Sequence, residues 1–297
     1  MKNKKKETLI YNNGQYEKEV ICAENWMRLI YENPVGSATL PFFVKRKIFS
    51  RIYGMYCKTP FSARNISQFI EQYQVDMTGC EEVYKNYAAF FTREKKGIIF
   101  PKEANALGAP CEGLASVYDN IDPKNLINIK SAALSLSELF DDEILAKEYS
   151  GGTMLTIRLT PTNYHRVHSF DDGVVSSSKF INGHLFSVSP LALRRIAQLY
   201  CRNKRALVQF SSQNFGDVVL VEVGATFVGS IIHCFNDSES VKRADQISYF
   251  EPGGSLLLVF FKKGFFTPKG SLLEQTDLGF ETKVNIGEIL GYGDQVQ

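Results

Sequence analysis

The residue pattern predicts an α+β fold, with a helical N-terminal region followed by a mostly antiparallel β body. Two observations carry that expectation. From Glu24 to about Lys95 apolar residues recur at helical spacing. After Gly97 the texture changes to short β-branched and aromatic runs, roughly every ten to fifteen residues, separated by Gly, Pro, Asn and Asp. Composition agrees, because 44% hydrophobic and 22% charged residues over 297 positions supply enough apolar surface for one large or two small domains. The expected division is a helical region over 1–95 and a β-rich body over 96–297.

Taken in order, the chain opens on a polar lead, with an extended segment expected around Glu19–Cys22. Trp26, Leu29 and Ile30 share one helix face, and Asn33-Pro34 ends that helix because the residue before proline is pushed out of the helical region. Over Leu40–Lys58, the residues Leu40, Val44, Ile48, Ile52 and Met55 fall at helical spacing. The same stretch holds five cations (Lys45, Arg46, Lys47, Arg51, Lys58) and no acid. A basic amphipathic helix suits an anionic membrane surface, and it equally suits a core-packing helix with a solvated basic face. Ser62–Tyr73 and Glu81–Arg93 read as two further helices. Strands are expected at Gly113–Tyr118, Thr153–Leu159, Gly173–Ser177, Ala206–Ser211, Val218–Val223, Thr226–Cys234, Leu256–Lys262 and Glu281–Val284. Leu134–Leu139 and Asp142–Tyr149 read as helical or turn-like.

Charge and cysteine usage exclude several classes. A formal net charge of +2 argues against nucleic-acid binding by bulk charge. The six cysteines form no C-x-x-C pair, so neither a zinc knuckle nor a disulfide framework is expected, and a reducing compartment is. Met1–Lys6 is basic without a following apolar segment, so no signal peptide is expected, and no apolar run is long enough to span a bilayer.

Two stretches could carry chemistry. Tyr249–Phe261 places Ser255 after Gly253-Gly254 and before an apolar strand. A hydroxyl there can attack the preceding carbonyl, and glycine at 254 leaves that carbonyl unhindered. The same Gly-Gly-Ser also reads as an ordinary turn entering a strand. Leu159–His168 ends a strand at Pro161 and presents His165 and His168, which could exchange protons near neutral pH or simply be polar turn residues. The other candidate ligands, His184, His233 and the lone cysteines, form no metal-binding motif, so no metal site is expected. Glu112 lies in a turn flanked by Pro110 and Gly113, where a carboxylate could orient a histidine. No Gly-x-Ser-x-Gly elbow surrounds Ser255, which disfavours a conventional serine hydrolase.

Together these stretches resemble the phosphatidylserine decarboxylases, pyruvoyl enzymes made as self-cleaving proenzymes. The resemblance rests on Phe90-Phe-Thr-Arg-Glu94, Pro110–Gly113, Tyr164–His168, Gly183–Pro190, Asn203-Lys-Arg205, Val223–Ile231, Tyr249–Ser255 and the segment beginning at Glu281. It implies scission between Gly254 and Ser255, giving a β chain of 1–254 and an α chain of 255–297. It implies a relay in which Glu112 orients His168 and His168 activates Ser255, as in the serine-protease triad. The covalent pyruvoyl group (the pyruvate cofactor) made from Ser255 would form a Schiff base with phosphatidylserine and release carbon dioxide, with His165 beside the substrate carboxylate or returning the proton. The N-terminal region would then be membrane-associating, and the enzyme peripheral on the cytoplasmic face of the cell membrane. A homodimer is among the assemblies the resemblance leaves open.

The chain departs from the family pattern at several places. Glu112 replaces an Asp, and the extra methylene shifts the carboxylate by about an ångström, a displacement that can cost roughly a hundredfold in a positioned reaction. Asp171 and Asp172 are alternative acidic partners. Asn163 stands where Asp is common, Leu256 where a hydroxyl residue is usual, Ser248 in place of Gly and Lys204 in place of Glu. The alternative these departures raise is an uncleaved relative that binds lipid surfaces without catalysis.

Overall fold

The computed structural model describes residues 8–33, 47–122, 135–193, 196, 198–225 and 230–294. Its centre is the strand Ser255–Phe261, buried along all seven residues. A run of Ser-Leu-Leu-Leu-Val-Phe-Phe is apolar on both faces, which suits a strand covered on both sides. Leu257, Val259 and Phe261 enter one core, and Leu256, Leu258 and Phe260 enter another on the opposite face. Thr153–Leu159 and Gly216–Gly224 flank this strand, each antiparallel and in register from end to end.

These three strands are the middle of a ten-stranded sheet. One side continues through Arg205–Ser212, Gly173–Ile181 and Glu239–Val241. The other continues through Gly113–Tyr118, Glu281–Val284 and the hairpin Leu9–Asn12/Gln15–Lys18. All neighbours are antiparallel except Leu9–Asn12 against Glu281–Val284. The α+β class and most strand positions agree with the sequence reading. The extended segment expected at Glu19–Cys22 instead forms earlier, because Asn13 (φ 45°) and Gly14 (φ 88°) make the left-handed pair that closes a tight hairpin.

Two three-stranded sheets complete the body. Ile231–His233, Gln246–Phe250 and Arg166–His168 form one, and Thr267–Pro268, Ile289–Tyr292 and Ala106–Gly108 form the other. The first positions the candidate site, since it brings the histidine turn over the head of the central strand.

The N-terminal helices cover the same end of the sheet. Glu24–Tyr31 buries Tyr31 and packs Ile30 against the core but leaves Trp26 and Leu29 exposed, so only part of the expected apolar face turns inward. Lys47–Cys57 is helical, while residues 40–46 of the expected basic helix lie outside the described residues. Pro60–Asn65 is a 3-10 turn leading into the helix Ile66–Tyr73. The helix expected over Glu81–Arg93 is confined to Tyr87–Phe91, where the Asn86 side chain caps the start by accepting from Ala89 N at 2.8 Å.

Candidate active site

Ser255 is the first residue of the central strand and is fully buried. It pairs with Leu159 on one side and Gly224 on the other. Its side chain shares the face of Leu257 and Val259, because alternate residues of a strand point the same way. Gly254 precedes it, and a Cβ there would lie 3.3 Å from Val188 Cγ2, so the chain passes this wall without a side chain.

His165 meets Ser255 directly. Its Nδ1 lies 3.2 Å from Ser255 Oγ, and its Nε2 lies 3.0 Å from the Thr160 carbonyl oxygen. A carbonyl can only accept, so Nε2 carries the proton and Nδ1 is left to accept from the Ser255 hydroxyl. Phe91 stacks on the imidazole with ring centres 3.8 Å apart. The ring is wholly enclosed, and burial, followed by the nearby Arg93 guanidinium, holds its pKa down at about 3. Arg93 is itself buried and donates to the Thr162 carbonyl at 3.0 Å, bracing the turn that carries His165. The arrangement is that of a neutral base aimed at a buried hydroxyl.

His168 does not make the contact with Ser255 expected from the resemblance. Its Nδ1 donates to the Ala244 carbonyl at 2.8 Å and its Nε2 accepts from Tyr164 Oη at 2.9 Å. The reason is parity. Residues three apart in an extended segment face opposite sides, and it is His165 that shares the inward face of Val167. Burial lowers the His168 pKa as well.

Glu112 touches neither imidazole through a hydrogen bond. Its Oε1 accepts from Tyr164 N at 2.8 Å and Asn163 Nδ2 at 3.2 Å, and Oε2 lies 3.7 Å from Lys95 Nζ. The carboxylate therefore fixes the backbone next to His165 in place of orienting His168. The alternative acids are committed elsewhere, Asp171 to Ser212, Asn214 and Arg243, and Asp172 to Lys242 and the Arg243 backbone.

A cavity of about 510 Å³ opens beside Gly253 and Gly254. Tyr53, Phe69, Phe91 and Val188 make its wall largely apolar, and the N-terminal helices supply one side of it. Arg158 and Glu19 also belong to the wall. Arg158 is clamped between Glu281, at 3.0 and 2.6 Å, and Glu19 at 2.9 Å. The geometry combines a base, a hydroxyl at a glycine-preceded strand head and an apolar cavity alongside.

The family model for phosphatidylserine decarboxylase matches residues 87–292, which include every residue of this site except the cavity's N-terminal side. The chain belongs to the phosphatidylserine decarboxylase family. It is a decarboxylase, a carboxy-lyase. It is 40% identical to the phosphatidylserine decarboxylase proenzyme of Clostridium perfringens (strain SM101 / Type A), over 95% of this chain and 99% of that one. The proenzymes of Clostridium botulinum (strain Langeland) and Clostridium beijerinckii are each 39% identical, covering 94% and 95% of this chain and 96% and 98% of theirs.

One cluster of this decarboxylase escaped the reading of the sequence. Glu222, buried in the strand beside Ser255, accepts a hydrogen bond from Ser248 Oγ and is held by His233 Nε2 at 2.8 Å. A signal was available, since a lone acid interrupts the apolar run Val218–Val223 on its inward side.

Proposed function

We propose that this chain converts phosphatidylserine to phosphatidylethanolamine and carbon dioxide, using a pyruvoyl group made from its own Ser255. The observation that carries the reading is the 3.2 Å approach of His165 Nδ1 to Ser255 Oγ, with the tautomer set by the Thr160 carbonyl. In the first step His165 takes the hydroxyl proton as Oγ bonds to the Gly254 carbonyl carbon. The Gly254–Ser255 C–N bond then breaks, nitrogen leaves as a free amine, and an ester joins the two parts. Removal of the Ser255 Cα proton expels the Gly254 carboxylate and leaves dehydroalanine. Its imine tautomer adds water and releases ammonia.

The pyruvoyl group supplies a ketone that captures the lipid amine and accepts the electron pair left by departing carbon dioxide. The residues around Ser255 fit that group. Ser255 is fully enclosed, Gly254 leaves its carbonyl uncrowded against Val188, and the apolar cavity lies alongside. An apolar wall favours loss of a charged carboxylate as a neutral gas, because desolvation weighs on the charged form. His165 Nδ1, which carries no proton in the resting site, would take one from the incoming lipid ammonium and return it after that loss. Glu112, Tyr164 and His168 act as positioning residues for the His165 turn.

The lipid surface is reached through the N-terminal helices. Trp26, Ile52, Met55 and Phe61 are more than half exposed on the segments that also wall the cavity. Exposed apolar side chains of this size seat a peripheral protein in the headgroup region. Among the described residues no helix is long and apolar enough to cross a membrane. The six cysteines form no C-x-x-C pair, a spacing that suits a reducing, cytoplasmic face.

Intact mass measurement of freshly purified protein tests the reading. The expected result is two chains, 1–254 and 255–297, the second with a blocked N-terminus, and one uncut chain from Ser255→Ala. A single uncut wild-type chain would overturn the proposal in favour of uncleaved lipid-surface binding. His165→Ala should stop cleavage outright. If His168→Ala stops it while His165→Ala does not, the relay runs in the order the family resemblance implies.

A further inference from the structure

The strand Gln246–Phe250 holds the histidine turn in place, since Ser248 opposes Val167 and the Phe250 amide donates to the His165 carbonyl at 3.0 Å. On its other side Ser248 opposes His233 across an antiparallel pair. This cross-strand pair closes on one carboxylate, with Ser248 Oγ on Glu222 Oε1 and His233 Nε2 on Glu222 Oε2 at 2.8 Å. Phe180 and Phe235 stack against the His233 ring at 5.0 and 4.8 Å, which leaves the imidazole little freedom to rotate. Glu222 belongs to the large sheet, where it opposes Leu257 while Gly224, two residues on, opposes Ser255. Ser248 and Glu222 are both fully enclosed.

We infer that Ser248, His233 and Glu222 form a latch that sets the separation of His165 from Ser255 and thereby the rate of self-cleavage. The inference rests on the self-processing proposed above. The latch joins the same two sheets as the His165–Ser255 contact: Glu222 lies two residues from Gly224, the cross-strand partner of Ser255, and Ser248 opposes Val167, two residues from His165. A grip on both oxygens of a buried carboxylate is directional, whereas the apolar contacts around it can slide. Loosening the grip lets the small sheet shift along the large one. A shift of about an ångström between nucleophile and base is enough to slow a positioned reaction by roughly a hundredfold. The three residues are positioning residues, touching neither the severed bond nor the substrate.

The test uses full-length chain produced by cell-free translation, followed as the first-order loss of uncut protein, with and without hydroxylamine. Hydroxylamine cuts the ester as it forms, so the second rate reports formation of the ester alone. Ser248→Ala and Glu222→Ala should each slow ester formation at least tenfold in chains whose unfolding midpoint shows them folded. Glu222→Gln keeps the volume and an acceptor for Ser248, and should stay within about threefold of wild type. Wild-type rates in both alanine variants would overturn the latch while leaving self-processing intact. Slowing that merely tracks the unfolded fraction, in the glutamine variant too, would overturn it as well. A wild-type chain that never cleaves would overturn the self-processing itself, and the latch with it.

Discussion

Lowering the pH from 7.5 to 5 separates a buried, pre-neutralised base from an ordinary one. A histidine with the ordinary pKa near 6.5 is about 90% neutral at pH 7.5 and about 3% neutral at pH 5, so cleavage relying on it would slow by roughly thirtyfold. His165 is enclosed against Phe91 and lies near Arg93, and its pKa of about 3 leaves it about 99% neutral at pH 5. Cleavage at the two pH values should therefore agree within about twofold. Stability behaves differently. The folded-state pKa lies below the unfolded one, so below about pH 6.5 the unfolded chain binds a proton that the folded chain refuses. Stability from this group is complete above that pH and declines as pH falls toward 3, by about 2 kcal/mol at pH 5. His168, also lowered, adds in the same direction. The assay is the first-order disappearance of uncut chain at each pH, with circular dichroism confirming the folded fraction. A tenfold or greater loss of rate in protein still folded at pH 5 would refute the assignment of His165 as a buried neutral base.

Two further perturbations probe the frame around the site. Arg158→Met strands the Glu19 and Glu281 carboxylates, which are gathered within 3.0 Å of its guanidinium, and should cost about 3–5 kcal/mol of stability by chemical denaturation. Adding Glu19→Gln should recover part of that loss. Trp26→Glu combined with Met55→Glu replaces two exposed apolar side chains and should weaken binding to phosphatidylserine vesicles by roughly tenfold or more, at an unfolding midpoint shifted by no more than about 3 °C.

The sequence was most legible where one physical signal dominated. Gly113–Tyr118, Thr153–Leu159 and Glu281–Val284 have the expected bounds because turn residues and β-branched runs agree there. Ser255 stood out because an apolar strand follows two glycines. The choice between His165 and His168 was harder, since residue type favours neither. What decides it is which side of a three-residue strand faces the core, and Val167 is the only apolar marker on it. Glu112 looked like a relay acid in sequence, but the geometry that turns it toward Tyr164 N depends on a segment fifty-two residues away. The first hairpin was missed because Gln15–Lys18 is exposed on every residue and shows no alternation. The helix over Glu81–Arg93 shortened because the Asn86 cap starts it late and its apolar run ends at Phe91.

The middle position of Ser255–Phe261 has a mechanical consequence. A backbone cut just ahead of it leaves the short C-terminal piece stitched into the sheet by hydrogen bonds along both edges, and again through Glu281–Val284. Neither piece could leave without tearing the sheet down its centre. Once severed, the molecule would have no easy route back to its parts, and heating it should melt both pieces together as one body.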